Sequence, residues 1–99
     1  MQRIDVLVTY DVETTTESGR SRLRKIAQLC KNFGQRVQFS VFELSVTEAQ
    51  LEDFEAKALK IIDKNKDSLR IYVLRGGREK SLRHHGIDKY TDFDDPLIV

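Results

Sequence analysis

Aspartate is a poor strand residue, yet Tyr10-Asp11-Val12 closes an apolar run that begins at Arg3. As the last residue of a first strand, Asp11 stands on a sheet rim with its carboxylate free, a common place for a hydrolytic or metal-binding group. Two such carboxylates held near each other across a two-fold axis repel, and a divalent cation relieves that repulsion. Mg²⁺ is held by one or two carboxylates plus waters and phosphate oxygens, and there it can polarise a phosphodiester and activate water. The plainer reading has Asp11 capping a loop or bonding nearby backbone amides.

Cations are gathered where a phosphate would need them. Residues 18–36 hold Arg20, Arg22, Arg24, Lys25, Lys31 and Arg36 and no acid. Arg20 and Arg24 lie four apart, on one face of a helix near its start. Basic groups there oppose the helix dipole, which points to a use for the charge such as phosphate contact; a solvated face is the alternative. Arg36, Gln38, Ser40 and Phe42 share one side of an alternating stretch. Arg and Ser can contact phosphate and an exposed aromatic can stack on a base, whereas ordinary core is the competing role for Phe39 and Phe42. His84-His85 reads as part of a basic loop, since adjacent residues on a strand face opposite ways and no third ligand is in sight. Asp92, Asp94 and Asp95 lack the glycine and distal glutamate of a calcium loop and read as an acidic turn. No Gly-rich phosphate loop and no Ser/His/Asp or Cys/His signature is present.

Six elements position these groups. Ile4, Val6, Val8 and Tyr10 alternate with Asp5, Leu7, Thr9 and Asp11, which predicts a strand followed by a polar loop over 13–18. Leu23, Ile26, Ala27, Cys30 and Phe33 recur at helical spacing, so a helix is expected from about 19 to 33, with Ser18 as its cap and Gly34 past its end. Residues 36–46 alternate but are long for one strand, and a hairpin or bend near Phe39-Ser40 would divide them. Thr47 and Gln50 form a capping box ahead of Leu51, Phe54, Ala58, Ile61 and Ile62, with Asn65 as the stop. Ser68 to Leu74 predicts a last strand and Gly76-Gly77 a turn, after which only Pro96 to Val99 is apolar again.

The order β-α-β-β-α-β is that of an α+β, ferredoxin-like fold: one antiparallel sheet with both helices on one face. The expected core is 1–78, with 79–99 an extension that contacts a partner subunit. Nothing in the chain is expected to cover the second sheet face, where Leu7 and alternate residues of the other strands would lie, so a homodimer packed sheet on sheet is anticipated.

The 99 residues make one domain with no repeat, linker or low-complexity segment. Hydrophobic content of 39% suffices for a core, and 33% charge with a net of only +1 shows that basic and acidic residues are segregated along the chain. A single cysteine, Cys30, allows no internal disulfide and fits a reduced compartment. No run nears the ~20 apolar residues that span a bilayer, and no leader is visible, so a cytoplasmic protein is expected.

Taken together, Val8-Thr9-Tyr10-Asp11-Val12, the stretch Gly19 to Lys25, and above all Gly34-Gln35-Arg36-Val37-Gln38-Phe39-Ser40-Val41-Phe42-Glu43 resemble the second CRISPR-associated core protein family. Lys66 to Arg70 and the Asp-Pro-Leu-Ile-Val ending fit as well, while residues 76–95 match least. Length and compactness point to its type I-C branch. The resemblance implies a ferredoxin-like homodimer serving spacer acquisition in adaptation, where it bridges the adaptation integrase and holds duplex DNA. It implies Mg²⁺- or Mn²⁺-dependent endonuclease activity on RNA or duplex DNA, with Asp11 as the metal-binding and catalytic residue. Tyr10, Arg20, Arg24, Arg36, Ser40 and Phe42 are the matching nucleic-acid-binding candidates around it. A non-catalytic dimeric scaffold is the first rival. A small-molecule-sensing ferredoxin-like domain is the second, and it would need a ligand pocket and usually an effector domain.

Overall fold

Alternation along the first strand sorts its side chains between two environments. In the computed structural model, which describes residues 2–90, β1 (Ile4–Asp11) turns Val6, Val8 and Tyr10 into the core and leaves Asp11 exposed at its end. The helix α1 (Glu17–Phe33) follows, then β2 (Gly34–Gln38), β3 (Val41–Val46), α2 (Glu48–Ile61), β4 (Ser68–Val73) and the single turn α3 (Arg78–Ser81). The sheet order is β2-β3-β1-β4 with every neighbour antiparallel, as the ferredoxin-like reading requires. The bend expected at Phe39-Ser40 is a hairpin turn.

Core residues come from one face of the sheet and from the two helices above it. Val6, Val8, Phe42, Ile26, Cys30, Phe54 and Ala58 are fully buried, with Leu44 and Val46 nearly so. Burying a side chain the size of Phe42 or Phe54 contributes roughly 2–3 kcal/mol. Phe33 meets Phe54 edge to face at 5.4 Å between ring centres, joining the end of α1 to α2.

Helix boundaries follow the caps. Thr16, rather than Ser18, caps α1, because its hydroxyl accepts from the Gly19 amide at 3.0 Å while Ser18 lies inside the first turn. Gly19 packs against the Glu13 backbone so closely that any Cβ there would collide with it, which folds the β1–α1 loop back onto the helix. The Thr47–Gln50 capping box forms as expected. α2 stops at Ile61, ahead of Asn65, because residues 63–67 turn on Asp63, whose carbonyl accepts from the amides of Lys66 and Asp67.

One expectation is corrected. The second sheet face is covered in part, because residues 78–89 run along it, while Tyr72 on that face stays 44% and Ile87 of the segment 91% exposed. Leu82, His84 and Ile87 line a groove whose other wall is Leu7, Val37 and Val41. Arg78 anchors this segment. Its amide donates to Asp5 Oδ2 at 2.8 Å, and its guanidinium pairs with Glu43 and, at 3.2 Å, with Asp88. The Tyr90 ring lies 3.6 Å from the guanidinium carbon. Gly76 and Gly77, at φ 81° and 90°, make the reversal that permits this path. The described part of the extension thus packs on its own chain. Asp92, Asp94, Asp95 and the Pro96–Val99 ending lie outside the described residues.

Candidate nucleic-acid interface

Strand register brings distant segments to one end of the sheet. Thr9 pairs with Val41, and the Tyr10 amide donates to the Ser40 carbonyl at 3.2 Å, so the β2–β3 turn sits beside the end of β1. Asp11 pairs with Ser68, which puts the α2–β4 loop on the other side. The first turn of α1 rises from the same rim through the β1–α1 loop. Asp11, Arg20, Phe39, Ser40, Lys64 and Lys66 therefore belong to one end of the molecule, with Arg24 one turn further along α1.

The carboxylates there divide their tasks. Asp67 is saturated: it accepts from the amides of Glu13 at 3.1 Å and Asp63 at 2.8 Å, and from Arg22 Nε at 2.7 Å. Arg22 holds its carboxyl well below the usual range, at a pKa of about 2. Glu13 bonds the Thr15 and Thr16 hydroxyls and the Thr15 amide, and the Thr15 hydroxyl leads the causes that lower its pKa. Asp11 has no side-chain hydrogen bond or ion pair among the described residues. The loop-capping task weighed for Asp11 is carried by Glu13 and Asp67, and the Asp11 lone pairs stay available.

An exposed carboxylate with free lone pairs suits a hard cation. Among the described residues no three His, Cys, Asp or Glu side chains gather as a metal cluster. A cation at Asp11 would take its remaining ligands from water, from phosphate oxygens or from a second copy of the chain.

The basic candidates differ in freedom. Arg20 is half exposed and reaches back to Glu17 at 3.0 Å and to the Thr14 carbonyl at 3.1 Å, which compensates its charge at the helix start. Arg24 is exposed and makes no side-chain bond among the described residues. Lys64 and Lys66 are exposed on the neighbouring loop, and Lys66 is near enough to Glu13 to help lower its pKa. Sequence reasoning gave neither lysine a site role, because only the fold carries that loop to the rim. It also passed over Asp67, whose signal was a lone acid just before a strand.

The aromatic candidates part company. Tyr10 is 6% exposed and stacks on Phe42 with ring centres 6.1 Å apart. Burial raises the Tyr10 pKa, and a bond from Arg36 partly offsets that. Phe42 is fully buried, so the base-stacking role considered for it is corrected: its ring is core, packed against Tyr10 with the Arg36 guanidinium over it. Of the two hairpin phenylalanines, Phe39 is the exposed one, 83% accessible at the turn. Arg36 lies between the two, its guanidinium carbon 5.7 Å from the Phe39 centroid and 5.1 Å from that of Phe42. Ser40 contributes its backbone carbonyl to β1.

Fold and rim define a small ferredoxin-like α+β protein with a solitary strand-end aspartate set among cations. A family model described as CRISPR associated protein Cas2 matches residues 4–81. The CRISPR-associated endoribonuclease Cas2 1 of Moorella thermoacetica is 54% identical over 94 residues, covering 95% of this chain and 98% of that one. The CRISPR-associated endonuclease Cas2 of Halalkalibacterium halodurans is 47% identical over 93 residues, covering 94% and 97%. The crystal structure of Streptococcus pyogenes Cas2 at pH 6.5 superposes with a TM-score of 0.73 at 49% identity, over 83% of this chain and 99% of that one. The chain belongs to the CRISPR-associated protein Cas2 family.

Proposed function

We propose that this protein is a Mg²⁺-dependent endonuclease of CRISPR adaptation that acts on nucleic-acid phosphodiesters as a homodimer in the cytoplasm. The observation that carries the reading is the Asp11 carboxylate, without a side-chain partner among the described residues, at an end of the molecule otherwise supplied with Lys64 and Lys66 and, one turn along α1, Arg24. The names of the relatives, endoribonuclease and endonuclease, support it.

In this reading Asp11 would hold the cation, Mg²⁺ or Mn²⁺, which would supply an activated water and a polarised phosphoryl oxygen. Arg24 and the two lysines draw the backbone to the rim and fix its register by phosphate contact. Arg36 adds a planar fork beside the hairpin. Arg22 serves differently, since Asp67, Ser18 and Glu13 already occupy its donors. The open edge of β4, with Tyr72 44% and Val73 51% exposed, supports a second copy.

Replacing Asp11 by Asn keeps the shape and removes the charge that the cation needs. Mg²⁺-dependent cleavage by the purified protein is expected to vanish while fold and nucleic-acid binding persist. An Asn variant that cuts as well as the parent refutes the assignment.

A non-catalytic scaffold that bridges the adaptation integrase is the second reading. It is favoured by the single carboxylate and the lack of a three-ligand cluster among the described residues. If neither parent nor Asn variant cuts any substrate and both support spacer acquisition, this reading stands.

A further inference from the structure

Asp11 occupies the last rung of the β1–β4 ladder, opposite Ser68. Chain segments fray at their ends, and the final rung of a ladder opens first. No side chain among the described residues holds the Asp11 carboxylate, so its direction is set by its backbone. A cation site with one protein ligand per chain depends on that rung staying closed.

The residue beside the rung keeps it closed. Asp67 precedes Ser68, and its Oδ1 accepts from the Glu13 amide, two residues beyond Asp11, at 3.1 Å. This bond crosses from one strand's end to the other's, just past their last backbone pairing. Asp67 Oδ2 takes the Asp63 amide at 2.8 Å, and Arg22 Nε reaches the same oxygen from α1 at 2.7 Å. Arg22 is steadied in turn by the Ser18 hydroxyl at 2.8 Å. The Asp67 side chain has no accessible surface, so water does not compete for these bonds. Gly19 presses the first turn of α1 against the Glu13 main chain with no room for a Cβ. Glu13 is thus clamped between Gly19 and Asp67. A shielded charge pair adds little net stability over an apolar replacement, so a loop that needed only to turn would not call for one.

We propose that Asp67, held by Arg22, is a positioning residue for Asp11: it clips the end of the β1–β4 ladder shut and so sets the direction in which the Asp11 carboxylate meets a divalent cation. The inference rests on the metal reading of Asp11 above and adds the group that fixes its geometry. Asp67 does not serve the cation itself, because amides and Arg22 occupy its oxygens. Groups that orient a metal ligand are worth about 10–100-fold in metal affinity or activity.

Mn²⁺ is the probe, since the electron paramagnetic resonance of the free ion reports binding without any cleavage. Asp11→Asn is expected to abolish the site, and Asp67→Asn to weaken Mn²⁺ binding about tenfold or more. Asp67→Glu keeps the charge, but its extra methylene does not fit the enclosed set of bonds. It is expected to weaken binding as well, which a purely electrostatic pull of Asp67 on the ion would not produce. Phe54→Leu, in the core against Phe33, lowers stability away from the rim and is expected to bind Mn²⁺ as the parent does. In cleavage assays both Asp67 variants should need about tenfold more Mg²⁺ for half-maximal rate, with the KM for oligonucleotide unchanged. Circular dichroism checks each fold. Should neither Asp67 variant fold, Arg22→Lys, which keeps the charge and gives up the two-pronged grip, carries the same expectation.

If Asp11→Asn loses Mn²⁺ while the folded Asp67 or Arg22 variants keep parental affinity, the positioning role is overturned and the metal reading stands. If Asp67→Asn weakens binding and Asp67→Glu does not, charge rather than position is at work and the proposal is wrong. It is equally wrong if Phe54→Leu weakens Mn²⁺ binding to the same degree, because general destabilisation then explains the loss. If the parent and Asp11→Asn bind Mn²⁺ alike, the metal reading falls and the proposal with it.

Discussion

Arg22 and Asp67, forty-five residues apart, are joined by a two-pronged pair, with Arg22 Nε 2.7 Å from Oδ2 and Nη2 3.3 Å from Oδ1. The Asp67 side chain has no accessible surface and that of Arg22 only 12%. The same carboxylate caps the amides of Glu13 and Asp63, so a single side chain ties α1, the β1–α1 loop and the α2–β4 loop together. Both loops flank Asp11, and their shape depends on this pair.

Removing one partner of a shielded pair strands the other. Asp67→Ala is expected to cost ~3 kcal/mol or more in urea unfolding, since it orphans Arg22 and two amides at once. The pH dependence has a definite sign. The folded-state pKa of Asp67 is lowered from 3.8 to about 2, so the folded state releases this proton more readily than the unfolded chain. Its contribution is complete above about pH 4 and is lost as pH falls toward 2. Unfolding titrations of the parent should steepen in that window, and those of Asp67→Asn should be flatter. Parallel curves refute the role.

Charge reversal separates the two exposed helix arginines. Arg20 already answers to Glu17 and Thr14, whereas Arg24 has no side-chain partner among the described residues. Arg24→Glu is expected to weaken oligonucleotide binding and to reduce the slope of log K against log salt by about one, the signature of one lost phosphate contact. Arg20→Glu should have the smaller effect. Identical slopes for parent and Arg24→Glu would make the residue part of a solvated face.

The only cysteine is a core residue. Burial pushes the Cys30 thiol up to about 12, which leaves it protonated and unreactive at neutral pH. Thiol reagents should modify it only as fast as the protein unfolds. Modification of the folded protein at the rate of a free thiol would contradict the packing.

Arg78 holds the extension against the sheet through Asp5, Glu43, Asp88 and Tyr90. Arg78→Ala should expose residues 79–90 to limited proteolysis and cost about 2 kcal/mol, because Glu43 and Asp88 lose their counterion. A variant as protease-resistant as the parent would show that the segment is held by Leu82 and its neighbours instead.

The elements were legible where periodicity and caps are local. Val6, Val8 and Tyr10 announced β1, and Thr47 with Gln50 announced the start of α2, though its end fell short of the expected Asn65. Asp11 was legible because an acid at a strand end violates strand preference. The Arg22–Asp67 pair was not, since either residue alone reads as a solvated charge and only the fold brings them together. Phe39 and Phe42 could not be told apart by alternation, because both lie next to the turn that breaks it. The path of residues 78–89 was illegible for a related reason: Arg78 meets acids from β1 and β3 that are far away in sequence.

The strand order β2-β3-β1-β4 has a consequence for the newborn chain. The inner strand β1 is made first and one of its two neighbours, β4, last among the described strands. Until Ser68–Val73 leaves the ribosome, Ile4–Asp11 has an open flank and Arg22 has no Asp67. Closing such distant pairings is slow and comes late. A nascent chain arrested before residue 68 would hold an unsealed apolar sheet, the kind of transient surface that invites aggregation.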